Sequence, residues 1–171
     1  MKKVKKKTEK RKIGDMGEKI AGRFLQSKGF EIVSWNYLKP WGEIDIIVRK
    51  KRKIHFIEVK TVSVTGFVFL QETPNFLHKC KTFVADKISR PEMAYSIREV
   101  SGETLSLEID GYRPEDNLHP WKLKRLKRAI QSYLAEKRIS EEDDWQFDAV
   151  TVRIDEEGKT ALVEYLEDII L

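Results

Sequence analysis

The stretch Gly42–Lys60, "GEIDIIVRKKRKIHFIEVK", decides how the rest of the chain is read. Two runs rich in Ile, Val and Phe flank a cationic turn at Lys50–Lys53, the pattern of a hairpin whose strands are buried on both faces. Yet Glu43, Asp45, Glu58 and Lys60 stand inside those runs. Side chains two apart on a strand share a face, so Glu43 goes with Asp45 and Glu58 with Lys60. If the hairpin closes with Arg49 opposite Ile54, the register sets Asp45 across from Glu58 and Glu43 across from Lys60. All four then converge on one sheet face; an odd loop or a bulge would spoil the pairing.

Two carboxylates about 4 Å apart repel by roughly 4 kcal/mol at an effective dielectric of 20. An ordinary cross-strand pair gains only about 0.2–1 kcal/mol, so folding alone supplies no motive for the arrangement. Lys60 offsets part of the charge, and a hard divalent cation, Mg²⁺ or Mn²⁺, is the usual partner of crowded oxygen ligands. The plainer reading is a ladder of solvated ion pairs on an exposed face. Ile44, Ile46, Ile47, Val48, Phe56, Ile57 and Val59 argue against it, because they make the strands apolar on both sides.

Outward from the hairpin, Ile13, Met16, Ile20 and Phe24 predict an amphipathic helix that ends at Gly29, and "FEIVSWNYL" predicts a strand before the hairpin. Beyond Pro120, Leu123, Leu126, Ile130 and Tyr133 or Leu134 form one face of a long helix reaching about Arg138. Lys122, Lys124, Arg125, Lys127 and Arg128 occupy much of its remainder. "WQFDAVTVRI" and "KTALVEYL", separated by "DEEG", predict a closing hairpin. Residues 62–116 read as an insertion of mixed character. There "VSVTGFVFL" is strand-like, "NFLHKCKTFVADKI" is read as helical, and "YSIREVSGETLSLEIDGY" as a hairpin turning at Ser101 and Gly102.

At 171 residues and 40% apolar content, the chain suits a single domain over 13–171 preceded by a basic disordered arm, 1–12. No segment has the length of a membrane span, and the start lacks the apolar core of a signal peptide, so a cytoplasmic location is expected. Cys80 is alone, which excludes an internal disulfide, and "HKC" offers too few ligands for zinc. The formal charge of +5 is unevenly spread. Residues 1–12 hold eight Lys and Arg against one acid, and 121–138 hold seven against one. Residues 62–120 are acidic, nine against six. Basic charge concentrated in a tail and one helix suits a polyanion-binding surface.

Taken together, "DMGEKIA" (15–21), "WNY" with "GEIDIIV" (35–48), "FIEVKT" (56–61), "KLKRLKRAIQSYL" (122–134) and "FDAV" (147–150) resemble the YraN-like family. Its members are regarded as nucleases related to Holliday junction resolvases, within the restriction-endonuclease-like fold. The resemblance covers about half of the chain. It implies an α/β fold with a mixed central sheet flanked by helices, and it implies residue roles. Glu18 would be the carboxylate of the first helix, Asp45 the metal-ligating aspartate, and Glu58 with Lys60 the E-x-K pair; Mg²⁺ or Mn²⁺ would be held by Asp45, Glu58 and Glu18. Glu43 is secondary, facing Lys60 rather than metal.

On physical grounds the cation would polarise a phosphoryl oxygen and acidify a water, while Lys60 stabilises charge in the transition state. Lys122, Arg125, Lys127 and Arg128 would track a phosphate backbone, of DNA in preference to RNA. Trp41, just before the site, is read as a core or rim aromatic in preference to one that stacks on a base, and His55 as structural in preference to a general base. The family pattern joins E-V-K-T to the basic helix by a short loop, whereas here about sixty residues intervene; this insertion is expected to form a cap or a homodimer contact. The expected activity is metal-dependent cleavage of DNA, with branched or distorted structures among the candidate substrates. The alternatives are a silent nuclease-fold module that binds nucleic acid, and an interaction domain using 62–116.

Overall fold

Ile13, Met16, Ile20 and Phe24 recur at helical steps, and in the computed structural model they line the inner face of α1 (Glu9–Ser27). The structure describes residues 8–64, 81–86, 96–99, 120–139, 144–157 and 159–169. The helix ends as expected: Gly29 takes a left-handed φ of 81°, its N–H donates to the Gln26 carbonyl at 3.0 Å, and the Phe30 N–H reaches back to Leu25 at 3.0 Å. It begins earlier than expected. Residues 9–12, read as part of a disordered arm, complete its first turn, where Glu9 pairs with Lys12 at 2.6 Å and favours the positive end of the helix dipole.

Three strands follow, β1 (Glu31–Lys39), β2 (Gly42–Lys50) and β3 (Lys53–Val64), and then β4 (Lys81–Asp86) and β5 (Ser96–Glu99). Helix α2 (Pro120–Glu136) leads to β6 (Trp145–Asp155) and β7 (Thr160–Leu166). Among the described residues, seven strands form one sheet in the order β1-β2-β3-β6-β7-β4-β5. Every neighbouring pair is antiparallel except β3 with β6, which run parallel. A parallel pair needs a crossover, and α2 lies within it. The result is a mixed sheet flanked by helices, an architecture compatible with a restriction-endonuclease-like core.

Both faces of the central strands are covered. Ile46, Val48, Ile57, Val59, Val150 and Val152 pack with Ile20, Phe24 and Leu25 of α1. Ile44, Ile47, Phe56 and Phe147 pack with Leu126, Ala129, Ile130 and Tyr133 of α2. This double burial is why β2 and β3 read as near-continuous apolar runs. Truncating a core side chain such as Phe56 to Ala would cost about 3–5 kcal/mol.

One expectation is overturned. Lys81–Asp86, read as part of a helix, is strand β4 and pairs with β7 from Asp86 opposite Thr160 to Lys81 opposite Tyr165. The segment's apolar spacing fits a helix, but Thr, Phe and Val also suit a strand. The unfilled edge of β7 supplies the ladder that decides between them. Ser96–Glu99 pairs with β4 as a strand, as the hairpin reading allowed. The turn at Ser101 and Gly102, and residues 75–80 and 87–88 of the expected helix, lie outside the described residues. Within the insertion, then, two strands extend the main sheet.

Candidate active site

The β2–β3 hairpin has the predicted register. Lys50 pairs with Lys53, Arg49 with Ile54, Val48 with His55 and Ile46 with Ile57. In a two-residue hairpin the pair flanking the turn is hydrogen-bonded, and so is every second pair after it. Continued, the ladder would send the Val59 N–H to the Ile44 carbonyl. Instead that N–H donates to Asp45 Oδ2 at 2.7 Å. A side chain has taken the place of the next rung. Beyond it β2 continues beside β1, while β3 runs on beside β6 as far as Val64. The sheet forks at Asp45.

The fork also breaks the alternation of β2. Ile44 and Ile46 are two apart, yet Ile44 packs on the α2 side and Ile46 on the α1 side. The expectation that Glu43, Asp45, Glu58 and Lys60 share one face therefore holds only in part. Glu43 is exposed at the rim, opposite Leu38 of β1. Lys60 pairs with Glu58, at 3.0 Å from Oε1, instead of facing Glu43. Asp45 and Glu58 do come together in a cleft of about 190 Å³ lined by Gly42, Glu43, Asp45, Glu58, Trp121, Lys122, Arg125 and Leu126.

Two glycines make this approach feasible. A Cβ on Gly17 would lie 1.8 Å from the Thr61 hydroxyl oxygen, so only glycine lets α1 settle on β3 beside Glu18. A Cβ on Gly42 would lie 2.5 Å from the Arg125 carbonyl oxygen, so only glycine lets the start of β2 touch α2. The glycines of "GEKIA" and "GEIDIIV" thus set the two helices against the fork. Glu18 accepts a hydrogen bond from Asn36 Nδ2 at 2.9 Å, and its charge is felt at Asp45. Asn36 itself has a left-handed φ of 46°.

Burial, followed by the charge of Glu58, pushes the Asp45 carboxyl up to about 7; the Val59 N–H and Lys122 pull the other way. Glu58 is 3% exposed, and its Oε1 receives the ammonium groups of both Lys60 and Lys122. For Lys60, burial opposes the charged form, yet the neighbouring carboxylates, Glu58 before Asp45, outweigh it, and the pKa rises. Lys60 is therefore an ammonium at neutral pH. It can stabilise negative charge but cannot act as a base.

The basic helix divides into roles that its sequence did not separate. Lys122 turns inward to Glu58. Arg125 donates from Nε to the Trp41 carbonyl at 2.9 Å and lies 5.8 Å from the Trp121 ring centre; Arg128 lies 5.8 Å from that of Trp41. Lys124 and Lys127 are exposed.

A divalent cation fits the pair Asp45 and Glu58 by donor chemistry. Magnesium is commonly held by one or two carboxylates, with waters and substrate phosphate completing its shell. Thr151, level with Lys60 across the β3–β6 ladder, has a buried hydroxyl with no partner among the described residues. Glu18 is engaged by Asn36, and among the described residues no cluster of three or more His, Cys, Asp or Glu is set to hold a metal.

A second buried carboxylate, to which the sequence reading gave no role, lies on β6. Asp148 Oδ2 accepts from His55 Nδ1 at 2.8 Å and from the Tyr165 hydroxyl at 2.7 Å. Its Oδ1 accepts from Gln146 Nε2 at 2.6 Å and from the Asp168 N–H at 2.8 Å. Burial, and then Asp148's charge, raise the Tyr165 pKa far above its ordinary range. The only sequence signal was an aspartate within the apolar run "FDAVTV". Among the described residues, no helix is long and apolar enough to cross a membrane.

Comparison with known proteins agrees with this core. The profile of the uncharacterised protein family UPF0102 matches residues 17–86, which include Glu18, Asp45, Glu58 and Lys60. A UPF0102 protein of Caldanaerobacter subterraneus subsp. tengcongensis is 42% identical over 96 residues, 56% of this chain and 73% of that protein. One of Acetivibrio thermocellus is 31% identical over 118 residues, 62% of this chain and 91% of that protein. One of Campylobacter fetus subsp. fetus is 41% identical over 67 residues, 39% of this chain and 60% of that protein. With its glycine-seated helix, forked hairpin and E-x-K strand inside the matched region, the chain belongs to the UPF0102, or YraN-like, family.

Proposed function

We propose that this chain is a metal-dependent nuclease that hydrolyses phosphodiester bonds of DNA in the cleft at the β2–β3 fork. One observation carries the reading: Asp45 replaces a rung of the ladder and stands beside the buried Glu58, with Lys60 ion-paired to Glu58 at 3.0 Å. A fold that needed only stability would have kept the rung and placed apolar residues there.

Asp45 and Glu58 would hold Mg²⁺ or Mn²⁺. When bound, the cation supplies positive charge at the scissile phosphate and lowers the pKa of a water. The protein's own residues do the rest. The Val59 N–H fixes the Asp45 carboxylate, and the Lys60 ammonium stabilises charge growing on the phosphate oxygens. Arg125 and Arg128 at the mouth hold flanking phosphates without reading sequence. Glu18, held by Asn36, adds negative charge at the fork and is assigned a supporting role.

The purified chain would be incubated with linear, single-stranded and four-way-junction DNA in Mg²⁺, Mn²⁺ or EDTA, beside Asp45→Asn and Lys60→Ala. Cation-dependent cleavage lost in both variants supports the reading, and cleavage that survives EDTA contradicts it. A binding module without catalysis is favoured by one observation, the Lys122 ammonium already resting on Glu58. Tight, salt-sensitive binding without cleavage under every condition would select that reading.

A further inference from the structure

Trp121 and Trp41 stand at the mouth of the acidic cleft, 56% and 36% exposed. Trp121 lines the cleft beside Lys122 and Arg125, and Trp41 immediately precedes Gly42 of its wall. The chain's other two tryptophans are also exposed, at 43% and 40%, but stand away from the cleft: Trp35 lies over Gly22 of α1, and Trp145 meets the Phe56 ring edge-on at 5.7 Å. Large exposed aromatic rings beside guanidinium groups at a concave, charged site point to a ligand more than an isolated surface Leu does.

The two rings share one arrangement. Each has a guanidinium 5.8 Å from its centre, Arg125 by Trp121 and Arg128 by Trp41. Trp41 is also pinned: its indole N–H donates to Ser132 Oγ at 3.1 Å, and its carbonyl accepts from Arg125 Nε at 2.9 Å. Positions 121, 125, 128 and 132 follow one another at steps of four, three and four residues. They form a single stripe along α2, with about 10 Å of helix between Trp121 and Arg128. A ring next to a cation offers a base a stacking surface and its phosphate a counter-charge in the same place. A duplex hides its base faces inside the stack, so only unpaired nucleotides can use both.

We propose that this stripe binds unpaired nucleotides of single-stranded DNA, with bases stacked on Trp121 and Trp41 and phosphates held by Arg125 and Arg128. The proposal rests on the nucleic-acid half of the nuclease reading and narrows its substrate to single strands, or to the unpaired arm of a branched one. The Trp41 ring, held by Ser132 before the strand arrives, loses little conformational freedom on binding. Bases stack on an aromatic face whatever their identity, so binding tolerates sequence.

The test is run in EDTA, where binding is separate from cleavage. Oligodeoxythymidine titrated into the full chain is expected to quench tryptophan emission, and to bind at least about tenfold more tightly than a hairpin duplex of equal phosphate count. Trp121→Ala and Trp41→Ala should each weaken binding by roughly tenfold, with Trp121→Phe retaining most of it. Thermal melts check that each variant is folded, and Trp121→Phe, which keeps an aromatic ring, separates loss of the stacking face from loss of packing. Equal affinity for duplex, or undiminished binding in the Trp41→Ala/Trp121→Ala double variant, would overturn the proposal. Ring-dependent binding without cleavage in Mg²⁺ would leave it standing and remove the nuclease reading. Cleavage that ignores both rings would do the reverse.

Discussion

Two carboxylates sit on either side of β3, and the fold treats them in opposite ways. Asp148 is fully buried and meets four donors, His55, Tyr165, Gln146 and the Asp168 N–H, that tie β3, β6, β7 and the segment after β7 together. Asp45 receives the Val59 N–H, and burial together with Glu58 pushes it up to about 7. The first carboxylate has its demand met from within, which is the mark of a structural hub. The second is left short of positive charge at the wall of a cleft, which is the mark of a site that expects a partner.

Exchanging the roles breaks the comparison most visibly. Asp148→Ala strands four donors in the interior and should cost about 3–5 kcal/mol, read by urea denaturation. A loss under about 1 kcal/mol would show that the hub is not structural.

Asp45 should behave in the opposite sense. Its native pKa of about 7 lies above the ordinary 3.8, so between those values the native state holds a proton that the unfolded chain has released. Stability of the metal-free protein therefore falls as pH rises from about 4 to 7, by up to about 4 kcal/mol from this group. Asp45→Asn keeps an acceptor for the Val59 N–H and should remove that dependence, making the metal-free variant the more stable form at pH 8. Melts across this range in EDTA check it.

Lys60→Ala removes the ammonium assigned to charge stabilisation and should slow cleavage by roughly 10²–10³-fold, the scale of losing one preorganised donor, with a smaller effect on DNA affinity measured without metal. The smallest effect is expected of Lys122→Ala. Its ammonium competes for Glu58, so the variant should bind Mn²⁺ several-fold more tightly in a calorimetric titration.

The hairpin and its register were legible because the short cationic turn at Lys50–Lys53 closes with Arg49 opposite Ile54, and loop length fixes the register of a hairpin. The face assignments beyond Ile46 were not, because β2 turns where Asp45 displaces a rung, and period-two reasoning ends there. Lys81–Asp86 was misread because the free edge of β7, a contact nearly eighty residues away in sequence, overrides local spacing. Asp148 and Asp45 look alike in sequence, each an acid in an apolar strand. Which of them is satisfied depends on His55, Tyr165 and Asp168, and only the fold brings these together. Lys122 read as one cation among five on a basic helix; the close approach at Gly42 sets α2 against the cleft it turns into.

The most direct measurement is calorimetric titration of Mn²⁺ into the parent chain and Asp45→Asn at pH 8, where Asp45 is ionised. The account predicts saturable binding to the parent and a loss of at least about tenfold in the variant, with both proteins folded. Equal Mn²⁺ affinity in the two, or no binding to the parent, would contradict the claim that the carboxylate pair at the fork is completed by a cation.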